Sequence, residues 1–494
     1  MNREIALARF GDPGERWDVI VIGGGATGLG IAVDAASRGL RTALLEQADF
    51  SESTSSKSTK LVHGGVRYLR GGEVGLVRES LRERGRLLRN APGFVSPLRF
   101  IVPAYRRYEP FFYGAGLTLY DLLAGELGIG STRHLSDRET LREIPNLRRE
   151  GLFGGTAYWD CQFDDAGLAV AMARTATSHG AAVVNHIKVE ELVKEGGKVC
   201  GVAARDVLSE QSFRLHGKTV ISAAGVFTDE VRKLDSDSGG ELIVPSQGIH
   251  LVLDLDFLGD ETAIMIPNTD DGRVLFAIPW MGKLVLGTTD TSGVPVALNP
   301  NPLEEEIDYL IEHAGRYLQR APHHKDIRAT FAGLRPLVRP SGAGSGPSSR
   351  ISRSHYLSVT DSGLVVMAGG KWTTYRQMAE DAVDCAIESS SLDQTPCQTH
   401  ELELDGIEQG APGEKLDPRL PYSIGDVRNA IEEGMAMRLD DVVSRRLRAS
   451  FLDEEATGAI LGRVAREMAD SLGKGEDWIE KEIAEFRSKH PPRS

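Results

Sequence analysis

The chain has 494 residues, 41% of them hydrophobic and 26% charged, which is the composition of a folded protein of two or three domains. Its 71 Asp and Glu outweigh 57 Lys and Arg, for a net charge of -14; this excludes a general nucleic-acid binder, which needs a basic face, but not a local pocket for a small anion. Cys161, Cys200, Cys385 and Cys397 form no C-x-x-C pair, so no metal is expected, and their scatter suits a reducing compartment.

Arg3, Glu4, Arg9, Asp12, Glu15 and Arg16 break up the first seventeen residues, so no signal peptide is predicted. No run approaches the roughly 18 apolar residues of a spanning helix. Residues 17–22 then form a short β-branched run, as expected of a buried strand. It feeds into Gly23-Gly24-Gly25-Ala26-Thr27-Gly28, a helix ending at Gly39, and a second strand ending at Glu46. In this strand–turn–helix setting Gly23-x-Gly25-x-x-Gly28 points backbone N–H groups and a helix dipole at a pyrophosphate. Glu46 lies 46 − 28 = 18 residues after the last glycine, where a carboxylate accepts from ribose hydroxyls.

The turn does not choose between a nicotinamide and a flavin. Two further segments favour the flavin. Residues 53–68 are rich in hydroxyls and glycine and follow the second strand directly. A buried strand over 364–367 runs into Ala368-Gly369-Gly370 and a second helix start, whose dipole suits an anionic ring. Between them, residues 97–120 crowd aromatics with Arg99, Arg106 and Arg107; residues 164–225 are α/β in character; and residues 244–289 read as an antiparallel sheet. Residues 394–417 read as a linker. In the tail, Asp453 caps a helix that runs to Leu472 and stops at Gly473, with another helix over 478–486.

Lys60-Leu-Val-His-Gly-Gly-Val-Arg-Tyr-Leu69, Ile278-Pro-Trp-Met281, Gly287-Thr-Thr-Asp290, Gly333-Leu-Arg-Pro-Leu337, Gly369-Gly-Lys-Trp-Thr-Thr-Tyr-Arg376 and the tail segment Arg438-Leu-Asp-Asp-Val-Val-Ser-Arg-Arg446 together resemble the FAD-dependent glycerol-3-phosphate dehydrogenases of the D-amino-acid-oxidase-like superfamily. The resemblance runs over residues 17–486. It implies an α/β fold with three parts: a Rossmann-like FAD domain over 17–96, 145–240 and 355–390, an antiparallel-sheet substrate cap over 97–144 and 241–354, and, after a linker over 391–417, a helical domain over 418–494. Thr27 and Lys57 depart from the residues expected at those positions.

With the glycine turn and Glu46, the resemblance implies an FAD site of Gly23, Gly25, Ala26, Thr27, Gly28, Glu46, Thr54, Ser55, Ser58, Lys60, Leu61, Val62, Ala224, Gly225, Gly370, Lys371, Trp372, Thr373 and Thr374. Around the substrate it places Arg67, Tyr68, Arg335, Arg353, Lys371 and Thr373. His63, Arg335 and Lys371 are the catalytic candidates. His63 is the neutral-pH base among them, and an Arg fork matches a phosphate. The expected reaction is glycerol 3-phosphate to dihydroxyacetone phosphate, with electrons leaving to a membrane quinone. The rivals are an oxidase using O2 and a catalytically silent flavin-binding protein. The expected setting is cytoplasmic, peripheral on the inner face of the membrane, with residues 97–120 as docking face and a homodimer allowed.

Overall fold

The computed structural model describes residues 1–236, 240–259, 261–339, 355–407 and 410–491, without the side chains of Arg67 and Arg70. Arg353 and its expected role therefore lie outside the described residues, as does the role of the Arg67 side chain.

The first sheet is built on Trp17–Ile22, in which every residue is buried. It pairs in parallel with Thr42–Leu45 on one side and Ser212–Ser222 on the other. Ala182–Val184 extends one edge and Val365–Gly369 the other, both in parallel. Strands covered on both faces need apolar runs; Trp17–Ile22, Thr42–Leu45 and Ala182–Val184 are buried throughout, while Ser212–Ser222 is continuously buried only over its last four residues. Helix Ala26–Ser37 packs between Asp165–Ser178 and Tyr375–Ser390 on one face. Small residues make that approach possible: a Cβ on Gly30 would lie 2.7 Å from the Tyr375 ring. The carboxyl ends of these strands, where α/β sheets bind ligands, carry Gly23, Glu46, Ala223 and Gly369.

The second sheet is antiparallel as expected, except where Ala263–Ile266 runs parallel to Val95–Ala104. One of its two longest pairings joins Ile243–Asp254 to Ala329–Val338 and sets Ser246 opposite Arg335. The domain boundaries remain a proposal. Gly154–Phe163, inside the segment 145–240 expected at FAD, pairs along its length with Val95–Ala104 in this sheet. Eight of its ten residues are buried, so it shows no alternation from which a sheet could be assigned.

The tail is helical, with Ile424–Glu432, Glu454–Leu472 and Glu476–Lys489. Asp453 accepts from the Ala456 N–H at 2.8 Å, and Gly473 ends the helix at φ +63°. The tail shares one apolar core with the second sheet: Phe331, Trp280 and Val285 pack with Phe451, Val442 and Ile460.

Candidate functional site

Two chambers meet at the sheet ends. The larger, about 510 Å³, runs from Glu46 past the glycine turn to Trp372. Of the residues expected at FAD, Gly23, Gly25, Ala26, Thr27, Glu46, Thr54, Ser55, Ala224, Gly225, Gly370, Lys371 and Trp372 line it. Gly28 stands behind the wall, where a Cβ would meet the Gly23 carbonyl at 1.9 Å. Gly25, Ala26 and Thr27 belong to the first helical turn, whose N–H groups lack partners within the helix. The Ala26 N–H donates to Ser55 Oγ at 3.0 Å, and the Ser55 carbonyl accepts from Trp372 Nε1 at 2.7 Å.

Glu46 accepts from the Gly24 N–H at 2.6 Å and from the Ala48 N–H at 2.8 Å. Burial outweighs these bonds and pushes its carboxyl up to about 7. A bound ribose hydroxyl would favour the carboxylate, so binding releases a proton below that pH. FAD affinity of the flavin-free protein is therefore expected to rise with pH and level off above about 7. Glu46→Gln is expected to weaken binding by about 10- to 100-fold, the worth of a hydrogen bond to a charged group, and to flatten that pH profile. Titration of flavin fluorescence at several pH values measures both effects; an unchanged curve would remove Glu46 from the site.

The smaller chamber, about 210 Å³, holds His63, Tyr68, His250, Phe276, Arg335 and Thr373, along with Ser58 and Leu61. It shares Gly370, Lys371 and Trp372 with the larger one. A further recess of about 100 Å³ adds Arg273, Thr288 and Asp290. Arg335 donates to Gln247 O at 3.3 Å and Thr288 Oγ1 at 3.1 Å and lies 3.6 Å from Asp290. It rests on Gly248, where a Cβ would press within 2.3 Å of its Nη2. Lys371 places its ammonium 4.1 Å from the centre of the Tyr68 ring. The Thr373 hydroxyl donates to His63 O and accepts from His63 N–H, both at 3.3 Å. Its oxygen thus braces the histidine turn.

Three further residues expected at FAD line neither chamber. Lys60 turns its side chain away from both chambers: the ammonium donates to Ser56 O at 2.6 Å and Asp165 Oδ2 at 2.7 Å. Burial lowers its pKa to about 7 against the pull of Asp165. Val62 is core, and the Thr374 hydroxyl is buried on the Lys371 carbonyl at 3.4 Å.

Sequence reasoning also missed several groups. His250 lies at the chamber wall with Nε2 2.9 Å from Thr59 Oγ1, and burial with Lys60 and Arg335 nearby holds it neutral. Under the turn after His63, the Gly64 N–H donates to Tyr120 Oη at 2.7 Å; Tyr120 donates to Asp160 at 2.8 Å, which Arg84 also meets at 2.9 Å. The Gly287-Thr-Thr-Asp290 motif was a signal for Thr288 and Asp290; nothing local marked His250.

The family described as FAD dependent oxidoreductase matches residues 18–376, and the C-terminal domain of alpha-glycerophosphate oxidase matches 397–479. Mitochondrial glycerol-3-phosphate dehydrogenase of Mus musculus is 37% identical, over 97% of this chain and 73% of its own.

The chain belongs to the FAD-dependent glycerol-3-phosphate dehydrogenases.

The glycerol-3-phosphate dehydrogenase of Bacillus halodurans, solved in complex with FAD, superposes with a TM-score of 0.79 at 27% identity, covering 99% of this chain and 96% of that one. L-alpha-glycerophosphate oxidase from Mycoplasma pneumoniae, with FAD bound, shares the fold with a TM-score of 0.60 at 17% identity, over 80% of this chain and 100% of its own. FAD is the cofactor of this flavoenzyme, and the tight glycine turn, where a Cβ on Gly23, Gly24 or Gly28 would clash, suits that cofactor.

Proposed function

We propose that the protein oxidises sn-glycerol 3-phosphate to dihydroxyacetone phosphate and passes the electrons to a membrane quinone. The observation that carries this reading is the chamber in which Arg335 and Lys371 face His63 where the two cavities meet. Bound FAD supplies the two-electron acceptor for the hydride at C2. Arg335, held by Gln247 and Thr288, has one orientation in which its fork can meet a phosphate or the oxygen that develops charge. Lys371 adds a second positive charge. His63 takes the hydroxyl proton. Tyr68 and Phe276 close the wall and exclude water.

A quinone is dissolved in lipid, so the protein must reach a bilayer surface, here the inner face of the cytoplasmic membrane. No helix among the described residues is long and apolar enough to cross one. Helix Glu109–Ala124 supports surface docking: Phe111, Phe112 and Leu122 are 76%, 58% and 73% exposed, with Arg106 and Arg107 exposed just before it. Such a face enters headgroups while the arginines meet anionic lipid. The docking face takes in only part of residues 97–120 and extends past them to Leu122. Tyr113 is partly buried against the core, Tyr120 is fully buried, and Arg99 pairs with Glu143 at 3.0 Å.

The match of the tail to an oxidase domain keeps O2 as the second reading of the acceptor. Purified protein mixed anaerobically with glycerol 3-phosphate should bleach its flavin, recover it with a quinone analogue, and make little peroxide in air. It should float with anionic liposomes, and the Phe111→Ser, Phe112→Ser, Leu122→Ser variant should sediment. No bleaching would remove the substrate. Stoichiometric peroxide from protein that does not float would replace quinone with O2. Sizing the same preparation tests for a homodimer.

A further inference from the structure

One wall of the FAD cleft is the segment that follows Glu46; Ser51, Glu52, Ser53, Thr54 and Ser55 line it. Apart from the short turn Thr54–Ser56 it has no regular structure, so its shape depends on what holds it from behind. The tail does so. Arg445 Nε donates to Asp49 Oδ2 at 2.6 Å, and Arg446 donates to both Asp49 oxygens at 2.8 Å. Arg448 Nη2 donates to Ser56 O at 3.0 Å and Asp165 Oδ1 at 2.9 Å. The other Asp165 oxygen accepts from Ser58 Oγ and Lys60 Nζ, each at 2.7 Å. All of these side chains are buried except that of Ser58, which is half-buried.

The local backbone is shaped for this. Asp441–Arg446 forms a π-helical turn, a form that recurs at functional sites. Arg448 follows at φ +60°, a left-handed conformation that costs a non-glycine residue energy and persists where surroundings enforce it. Buried charges of this kind are retained where partners are fixed on both sides. None of the three arginines lines the cleft. Asp49, His186 and Asp441 also converge closely enough to hold a cation, but Arg445 and Arg446 already supply the positive charge there.

We propose that the helical tail is the clamp of the FAD site: Arg448, through Asp165 and Ser56, and Arg445 with Arg446, through Asp49, are positioning residues that hold the wall in its flavin-binding shape. This is independent of the substrate and of the electron acceptor.

Coupling between two regions is reciprocal, so the full-length wild type provides the first test. Hydrogen–deuterium exchange on flavin-free and FAD-reconstituted protein should show FAD slowing exchange in residues 440–452, which lie outside the cleft, with no change in residues 462–472 at the C-terminal end of helix Glu454–Leu472. The second test is FAD affinity. Arg448→Ala should raise the FAD Kd by about 5- to 150-fold, the usual range of coupling, with far-UV circular dichroism retained. Asp165→Asn should do the same, and the double variant should lose less than the product of the two. Arg448→Lys should restore part of the affinity. Arg463→Ala, which breaks a surface pair with Glu414 at 2.8 Å and a hydrogen bond to Lys415 O at 3.0 Å, should leave the Kd unchanged. Exchange in 440–452 that ignores FAD, or Arg448→Ala that binds FAD like the wild type, would overturn the clamp. If the variants do not fold, the exchange result on the wild type decides.

Discussion

Arg335→Ala is expected to keep its flavin and lose its turnover. Removing one buried charge-assisted contact to a ligand costs on the order of 2–5 kcal/mol, which is about 30- to 5,000-fold in kcat/KM. The side chain is fixed before substrate arrives, by Gln247 O, Thr288 Oγ1 and Asp290, so little of its binding energy is used in ordering it. The same variant leaves the Asp290 carboxylate, which also accepts from Ser246, facing the recess with a charge that repels phosphate. Arg335→Lys should not restore the rate, because a point charge does not reproduce the fork. Unphosphorylated glycerol should be a very poor substrate for the wild type, and the preference for the phosphate ester should shrink in Arg335→Ala. Steady-state kinetics with flavin content measured on each preparation decides the matter; equal turnover of glycerol and its phosphate would end the phosphate-holding role.

His63→Ala is expected to slow flavin reduction by about 10²–10⁴-fold, the worth of a positioned general base, while changing substrate binding little. The structure makes this a clean test. The backbone of His63 is held by Thr373, and the next residue is held by Tyr120, so the turn does not depend on the imidazole. The ring itself meets Phe276 edge-on with centroids 6.1 Å apart, a contact whose loss affects packing more than chemistry. Stopped-flow reduction at saturating substrate separates the two: a rate within threefold of wild type would make His63 a wall residue and turn attention to His250.

The parts of this protein that could be read in the sequence are those whose partners are close along the chain. The glycine turn, Glu46 and the strands beside them form one local unit, and the larger chamber contains them. The helix from Asp453 to Gly473 was legible for the same reason, since its cap and its stop both lie within it. His250 was not legible. It faces the chamber because Ile243–Asp254 pairs with Lys283–Gly287 and with Ala329–Val338, and residue spacing gives the face of a strand but not its neighbours. The direction of the Lys60 side chain was not legible because a hydroxyl-rich run does not show which of its side chains face inward. The tail gave the least, since arginine is ordinarily an exposed residue. Arg446 and Arg448 are buried only because Asp49 and Asp165 meet them across 397 and 283 residues of chain.

The order of strands in the first sheet bears on how the protein is made. Trp17–Ile22 emerges early, yet Ser212–Ser222 and Val365–Gly369 complete its sheet much later. At roughly 5–20 residues per second, the ribosome needs about 20–70 s to synthesise the roughly 350 residues between the first strand and the last of these. Through that interval an apolar strand edge stands open on the nascent chain. A chain cut short anywhere before residue 365 ends with that edge uncovered, a template for aggregation. Gly369, Gly370, Lys371 and Trp372 of the flavin cleft come only with or after that strand, so flavin loading is expected late in biogenesis, and chaperone occupancy on translating ribosomes should persist until the final strand has left the exit tunnel.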